Sequence, residues 1–237
     1  GAAGQTSGQE TVSGGDTTSY LYFVKNDRLV DVSRDVPDRN IQAVVDALFA
    51  EQNVDVIYLR DLDGFTYRNG IAELGADEAT TVRRLRAMLA ETGNGHVIAM
   101  GSSLGGFAAL RYGVLLDAAF AVSWSGPTDL AAVYDRSRPS IWNPQFFMHQ
   151  RLLRQTDMAT DLVPLIAGAG GRTRFLHIHG ADAEEDVAQA RRLEGLPNVR
   201  LVPVAGIADH FVVAHMIASG GFAALLARLA DPRWNAE

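Results

Sequence analysis

The run Gly101-Ser-Ser-Leu-Gly105 sets Ser103 midway between two glycines, after the apolar stretch His96–Met100 and ahead of a helical pattern from Gly105 to Leu116. A G-x-S-x-G spacing between strand and helix is what a nucleophilic serine requires. The chain turns so sharply there that the residues two positions either side must leave room for the crossing. The turn lifts the Ser103 hydroxyl above the sheet and sets the N–H of Leu104 at a helix N-terminus, where developing negative charge is favoured. Ser102 lies off the centre of the glycine pair and is not the expected nucleophile. The alternative is a Ser/Gly-rich turn that only packs closely.

A serine hydroxyl is weakly nucleophilic on its own, so a base is needed. Of six histidines, His210 follows the apolar run Val199–Val204 and opens a helical pattern, which places it at the same sheet edge as Ser103. His96 begins a strand at the opposite edge, and His149 and His215 fall within helical patterns. His177 and His179 lie on a strand, His179 near its end. His210 is therefore the expected base. A carboxylate must then hold its tautomer. Asp182, in the loop after His177-Ile-His-Gly180, is the expected acid, with Asp129 in the loop after the preceding strand as its rival. Asp186 is expected to cap a helix N-terminus, and Glu184 and Glu185 to face solvent. The chain order Ser103, Asp182, His210 is the one this strand–turn–helix arrangement uses.

Six short apolar runs must position these groups: Tyr20–Val24, Val54–Leu59, His96–Met100, Ala119–Trp124, Arg174–His179 and Val199–Val204. Most lack alternation, as strands buried on both faces should. Helical stripes separate them, such as Ile41, Val44, Val45, Leu48 and Phe49, or Val82, Leu85, Met88 and Leu89. The expected fold class is α/β, with about six mainly parallel strands and helices on both faces. Ligands bind such sheets outside the carboxyl ends of the strands. The segment 125–172 is too long for a simple connection between the fourth and fifth strands, and a lid is expected there. Its Trp142, Phe146 and Phe147 would offer apolar surface to substrate; the alternative is a packed helical excursion. Tyr67 and Arg68, after the second strand, are expected at the pocket rim, with Arg68 suited to a carboxylate or phosphate. A loop that packs its own aromatic is the competing reading. Trp124 is expected in the core wall.

Composition narrows the classes. The 237 residues are 47% hydrophobic and 21% charged, which excludes a disordered chain. The net charge of −7, with no run of five like charges, argues against a nucleic-acid partner. With no cysteine, disulfides, thiolate nucleophiles and cysteine-held metals are excluded. No metal or other cofactor is expected. The longest uncharged stretch, Phe211–Ala227, is broken by His215, Ser219 and Gly220-Gly221, so no membrane span is expected. Residues 1–19, mostly Gly, Ser, Thr, Gln and Ala, read as a flexible linker or cloning scar, with a further domain expected N-terminal to residue 1. Residues 20–237 read as one domain. Without a signal-peptide pattern the expected location is cytoplasmic.

The elbow Gly101-Ser-Ser-Leu-Gly105, the loop His179-Gly180-Ala-Asp182 and the pair Asp209-His210 resemble the α/β-hydrolase superfamily across residues 20–230. The stretches Arg60-Asp-Leu-Asp-Gly-Phe-Thr-Tyr67-Arg-Asn-Gly70 and 105–116 resemble a bacterial subgroup whose members are often fused to, or encoded near, glycan-assembly enzymes. The resemblance implies a reduced form of that fold without the usual antiparallel opening strands. It implies a serine esterase or thioesterase that cleaves a carboxylic ester or related acyl group through an acyl-enzyme. The acyl group would be carried by a small molecule or a glycan. The oxyanion hole would take the Leu104 N–H and, where the family usually carries His-Gly after its first central strand, a group from Lys25 or Asn26. An acyltransferase or glycan O-deacetylase using the same residues is the first alternative. A non-catalytic hydrolase-like binding module is the second.

Overall fold

Strands covered on both faces need no alternation, and the central ones here are buried along almost their whole length. The computed structural model describes residues 18–24, 47–50, 54–61, 66–71, 73–93, 95–133, 159–231 and 234. In chain order the elements are β1 (Thr18–Val24), β2 (Val54–Arg60), α1 (Glu78–Thr92), β3 (His96–Ser102), α2 (Leu104–Leu115) and β4 (Phe120–Trp124). Then come α3 (Leu130–Val133), α4 (Val163–Ala167), β5 (Arg174–Gly180), α5 (Glu184–Arg191), β6 (Val199–Val204), α6 (Val212–Ala218) and α7 (Gly221–Leu229). Among the described residues the strands form one sheet in the order β2-β1-β3-β4-β5-β6, and every pairing is parallel. The order reverses between β1 and β3, and ligands collect at such switch points. The residue after β3 is Ser103.

One face of the sheet, with Ile98, Met100, Phe120, Val122, Trp124 and Ile178, packs against Val212, Val213, Phe222, Leu226 and Leu229 of α6 and α7. The other face carries α1 and α2, through Leu85, Leu89, Ala108, Ala109 and Tyr112 against Leu59, Val97 and Ala99. Helix α2 is buried from Gly105 through Gly113 without a break, so it has no solvent face there. Trp124 is fully buried and its Nε1 donates to Met216 Sδ at 3.3 Å, the core-wall position expected of it. His96 contacts the Leu229 carbonyl through Nε2 at 2.7 Å, which ties the end of α7 to the edge opposite Ser103.

Two elements depart from the sequence reading. The helical pattern after His210 is two helices, bent by 93° where Gly220 takes a left-handed φ of 76°. Helix α5 begins at Glu184, with Ala183 and not Asp186 as its N-cap, three residues ahead of the expected cap. The described ends of the 125–172 segment meet at one neck. There Asp129 and Asp161 form an antiparallel bridge, Leu130 N–H donates to Thr160 O, and Leu162 N–H donates to Thr128 O. Arg192 clamps the neck through Asp129 at 3.2 Å and Asp161 at 2.7 Å. Trp142, Phe146 and Phe147 lie outside the described residues. Among the described residues no single helix is long and apolar enough to cross a membrane.

Helix α2 packs tightly on the sheet at Gly113, where an added Cβ would lie 2.5 Å from Ala121 Cβ. Alanine is the better helix former by about 1 kcal/mol. Overpacking outweighs that gain, so Gly113→Ala should lower unfolding stability by about 1–3 kcal/mol in urea titration. A variant more stable than the parent would show that the sheet can yield at this point.

Candidate active site

Ser103 occupies φ 57° and ψ −127°, a conformation that side-chain-bearing residues rarely adopt. The strain persists because its surroundings over-determine it. Its N–H donates to Trp124 O at 2.9 Å, and its carbonyl accepts from Gly106 N at 2.8 Å and Phe107 N at 3.2 Å. Gly101 must be glycine, since a Cβ there would lie 2.3 Å from Gly105 O. Behind the turn, a Cβ on Gly106 would come within 2.5 Å of Ser123 Oγ. The Leu104 N–H is the first of α2, in the position expected of an oxyanion donor. Lys25 and Asn26 lie outside the described residues.

His210 joins two other elements to this turn. Its Nε2 lies 3.0 Å from Ser103 Oγ, and its Nδ1 lies 2.8 Å from Asp186 Oδ1. An ionised carboxylate only accepts, so the Nδ1–H donates to Asp186 and leaves the Nε2 lone pair for the serine proton. Both side chains are nearly buried, at 11% and 6% exposure, so water competes little for the hydrogen bond. The backbone next to His210 is fixed by Asp209, whose Oδ1 accepts from Phe211 N at 2.8 Å and whose Oδ2 meets His215 Nε2 at 2.9 Å. Burial pushes the Asp209 carboxyl up, but the His215 and Phe211 hydrogen bonds outweigh it and hold the group below its ordinary value.

The carboxylate at the imidazole is thus Asp186, not Asp182. Because α5 starts early, with Ala183 as its N-cap, Asp186 is the third helical residue and turns inward. Asp182 stays in the preceding turn, exposed, with its N–H donating to Ile207 O. One signal could have found this: Asp186, Gln189, Ala190 and Leu193 form a buried i, i+3, i+4, i+7 stripe. Asp129 is committed elsewhere, since it accepts from Ala131 and Ala132 N–H groups and pairs with Arg192.

Tyr67 and Arg68 do not lie at a rim. They are 2% and 1% exposed, and Tyr67 belongs to the core around Leu59, Leu85 and Tyr112. Tyr67 accepts from Tyr112 Oη through its carbonyl, and its N–H donates to Asp61 Oδ2. Burial, with Asp61 next, drives its phenol far above the ordinary range. The Arg68 Nε donates to Thr66 Oγ1 at 2.9 Å, within the same loop. The loop packs its own aromatic.

Beneath the site lies a polar floor that sequence reasoning did not assemble. Ser123, Ser125, His177 and His179 are all buried, on the carboxyl halves of β4 and β5 or just beyond. Full burial pushes His177 down to about 3, with His179 adding repulsion and Asp186 opposing it. Burial also lowers His179, against the His177 carbonyl and Asp186.

No family model and no curated protein matches the chain. Solved structures do. A chain of the glycosylation-associated Gap123 complex from Streptococcus agalactiae is 13% identical with a TM-score of 0.58, covering 94% of this chain and 43% of that one. The present chain thus spans less than half of that relative's length. The capsule O-acetyltransferase of Neisseria meningitidis serogroup A is 16% identical over 91% of this chain and 89% of its own, with a TM-score of 0.56. MGS-MChE2, an α/β hydrolase enzyme from a lagoon-sediment metagenome in Morocco, is 18% identical over 90% of each chain, with a TM-score of 0.50. The chain has the α/β-hydrolase fold.

The buried histidines make stability depend on pH. His177 is neutral when folded but takes up a proton near pH 6.5 when unfolded. The unfolded chain then binds more protons, so this contribution is complete above about pH 6.5 and is lost as pH falls towards 3. Its slope is at most about 1.4 kcal/mol per pH unit. His177→Gln should flatten the change in urea-unfolding free energy between pH 7 and pH 5. An unaltered slope would assign the dependence to other groups.

Proposed function

We propose that the chain is a serine hydrolase acting on a carboxylic ester or related acyl group. Ser103 would serve as nucleophile, His210 as base and Asp186 as the orienting acid. The observation that carries this reading is His210 bridging Ser103 Oγ at 3.0 Å and Asp186 Oδ1 at 2.8 Å. Ser103 Oγ bonds to the acyl carbon while its proton passes to Nε2 of His210. The tetrahedral oxyanion forms against the Leu104 N–H. Collapse breaks the bond to the leaving alcohol or thiol, which takes the proton from His210. Water then attacks the acyl-enzyme, giving its proton to His210, and the second collapse returns that proton to Ser103 Oγ. Throughout, Asp186 holds the imidazolium without itself being protonated.

Acyl transfer is the second reading, with a sugar or other alcohol taking the place of water in the last step. The O-acetyltransferase among the structural neighbours supports keeping it. Adding hydroxylated acceptors during turnover of an activated ester separates the two. Formation of a new ester at the expense of free acid supports transfer.

A fluorophosphonate probe should label the wild-type chain, and Ser103→Ala should abolish both labelling and p-nitrophenyl acetate turnover. If Ser103→Ala keeps full activity, the hydrolase reading is wrong. Asp186→Asn should lower turnover by roughly two to four orders of magnitude, because the amide holds the ring in the wrong tautomer. Asp182→Asn should cost less than about tenfold, its carboxylate being solvated. The reverse ranking on one activated ester would return the acid to Asp182.

A further inference from the structure

Helix α5 has eight residues, and its N-cap Ala183 makes no side-chain hydrogen bond. So short a helix is not stable alone and takes its position from what it packs against. Three side chains spaced three residues apart on it, or at its end, reach different parts of the chain. Asp186 meets His210, and Arg192 meets Asp129 and Asp161 at the neck of the 125–172 segment. Between them Gln189 is 8% exposed. Its Oε1 accepts from Thr128 N–H at 2.8 Å and from Asp129 N–H at 2.9 Å. The Thr128 hydroxyl lies 2.9 Å from the Gln189 carbonyl and 3.0 Å from Oε1. Two backbone donors converging on one atom require an oxygen there, so the orientation of the amide is fixed. Thr128 is fully buried, and without Gln189 its N–H would be left dry.

These contacts close a ring. Thr128 lies four residues beyond Trp124, whose carbonyl takes the Ser103 N–H at 2.9 Å. The chain between them is held closely. Ser125 takes a left-handed φ of 49° and its N–H donates to Ile178 O at 2.8 Å, while a Cβ on Gly126 would lie 2.8 Å from Gly106 C. From the Ser103 backbone the path runs through Trp124 to Thr128, across to Gln189 and one helical turn back to Asp186. His210 then returns it to the Ser103 hydroxyl.

We propose that Gln189 is a positioning residue for the triad: by tying α5 to the loop after β4, it sets the Asp186 carboxylate relative to Ser103. This rests on the hydrolase reading above. Ala190 and Leu193 also hold this part of the chain to the core, but apolar contact is non-directional. The hydrogen bonds to Gln189 are directional and fix where along the loop the helix sits.

The test uses the full chain, as wild type, Gln189→Leu and Gln189→Glu. The first variant removes the acceptor, and the second keeps an oxygen in its place. Gln189→Leu should label at Ser103 with a fluorophosphonate roughly ten- to a hundredfold more slowly, the loss expected of a misplaced catalytic group. The loss should fall on the limiting rate and not on the probe concentration at half-saturation. Gln189→Glu should recover most of the rate. In proton spectra of the unlabelled chain, the His210 Nδ1–H should give a low-field resonance in wild type and Gln189→Glu, and move upfield in Gln189→Leu. Equal losses in both variants, or an unmoved resonance in Gln189→Leu, would overturn the proposal and leave Gln189 a cap for the loop. If Gln189→Leu does not fold, the wild type decides. Coupling is reciprocal, so a phosphonate on Ser103 should slow hydrogen exchange of the Thr128 and Asp129 amides more than that of the amides in α1. Unchanged relative protection overturns the proposal. Failure of the wild type to label would instead count against the hydrolase reading, while the His210 resonance would still report on Gln189.

Discussion

The backbone of Ser103, held at φ 57°, is the constraint around which the other features are arranged. A single non-glycine residue in such a conformation costs about 1–3 kcal/mol and survives only when its neighbours leave no alternative. Here the neighbours are close. Gly101 and Gly105 cross without room for a Cβ, and Gly106 approaches Ser123 to a distance that again admits only hydrogen. The Trp124 carbonyl takes the serine N–H, so the turn is anchored to the next strand as well as to its own. The result is a hydroxyl at the start of a helix that the core surrounds on every side.

Burial of α2 makes that turn rigid, and it also makes the region beneath it expensive to polarise. An apolar floor would have been the simpler solution, yet the carboxyl halves of β4 and β5 carry Ser123, His177 and His179, with Ser125 just beyond. Polar groups in a dry setting must satisfy one another or lose stability. The buried carboxylate of Asp186 supplies the negative charge that such a cluster can be organised around. Stability at low pH consequently depends on this group of side chains.

The start of helix α5 selects the acid. Among the three carboxylates of its first turn, Glu184 is exposed, Glu185 is half-buried and Asp186 faces inward, in phase with Ala190 and Leu193. A shift of three residues in the helix cap is thus enough to change which side chain meets His210. The N-terminal end of the helix also favours a negative charge there. Asp129, the other loop carboxylate, is occupied with Arg192 and with capping α3, so the neck of the long insertion and the site draw on separate acidic groups.

Ser103, Leu104 and His210 were legible in the chain itself, because a glycine-flanked turn between strand and helix and a histidine just past the last strand are local patterns. The parallel α/β architecture was legible for the same reason, since uninterrupted apolar runs separated by helical stripes admit few other packings. The acid was not. Asp182 and Asp186 differ by one helical turn, and nothing local says whether the helix begins before or after Ala183. Tyr67 and Arg68 read as rim residues from their place after a strand, but their loop folds back and seals itself with Asp61, Thr66 and Tyr112. Sequence spacing determines which side chains share a strand or a turn. Only the packed sheet and helices decide which carboxylate an imidazole meets and which polar groups are dry, because those depend on contacts between residues far apart in the chain.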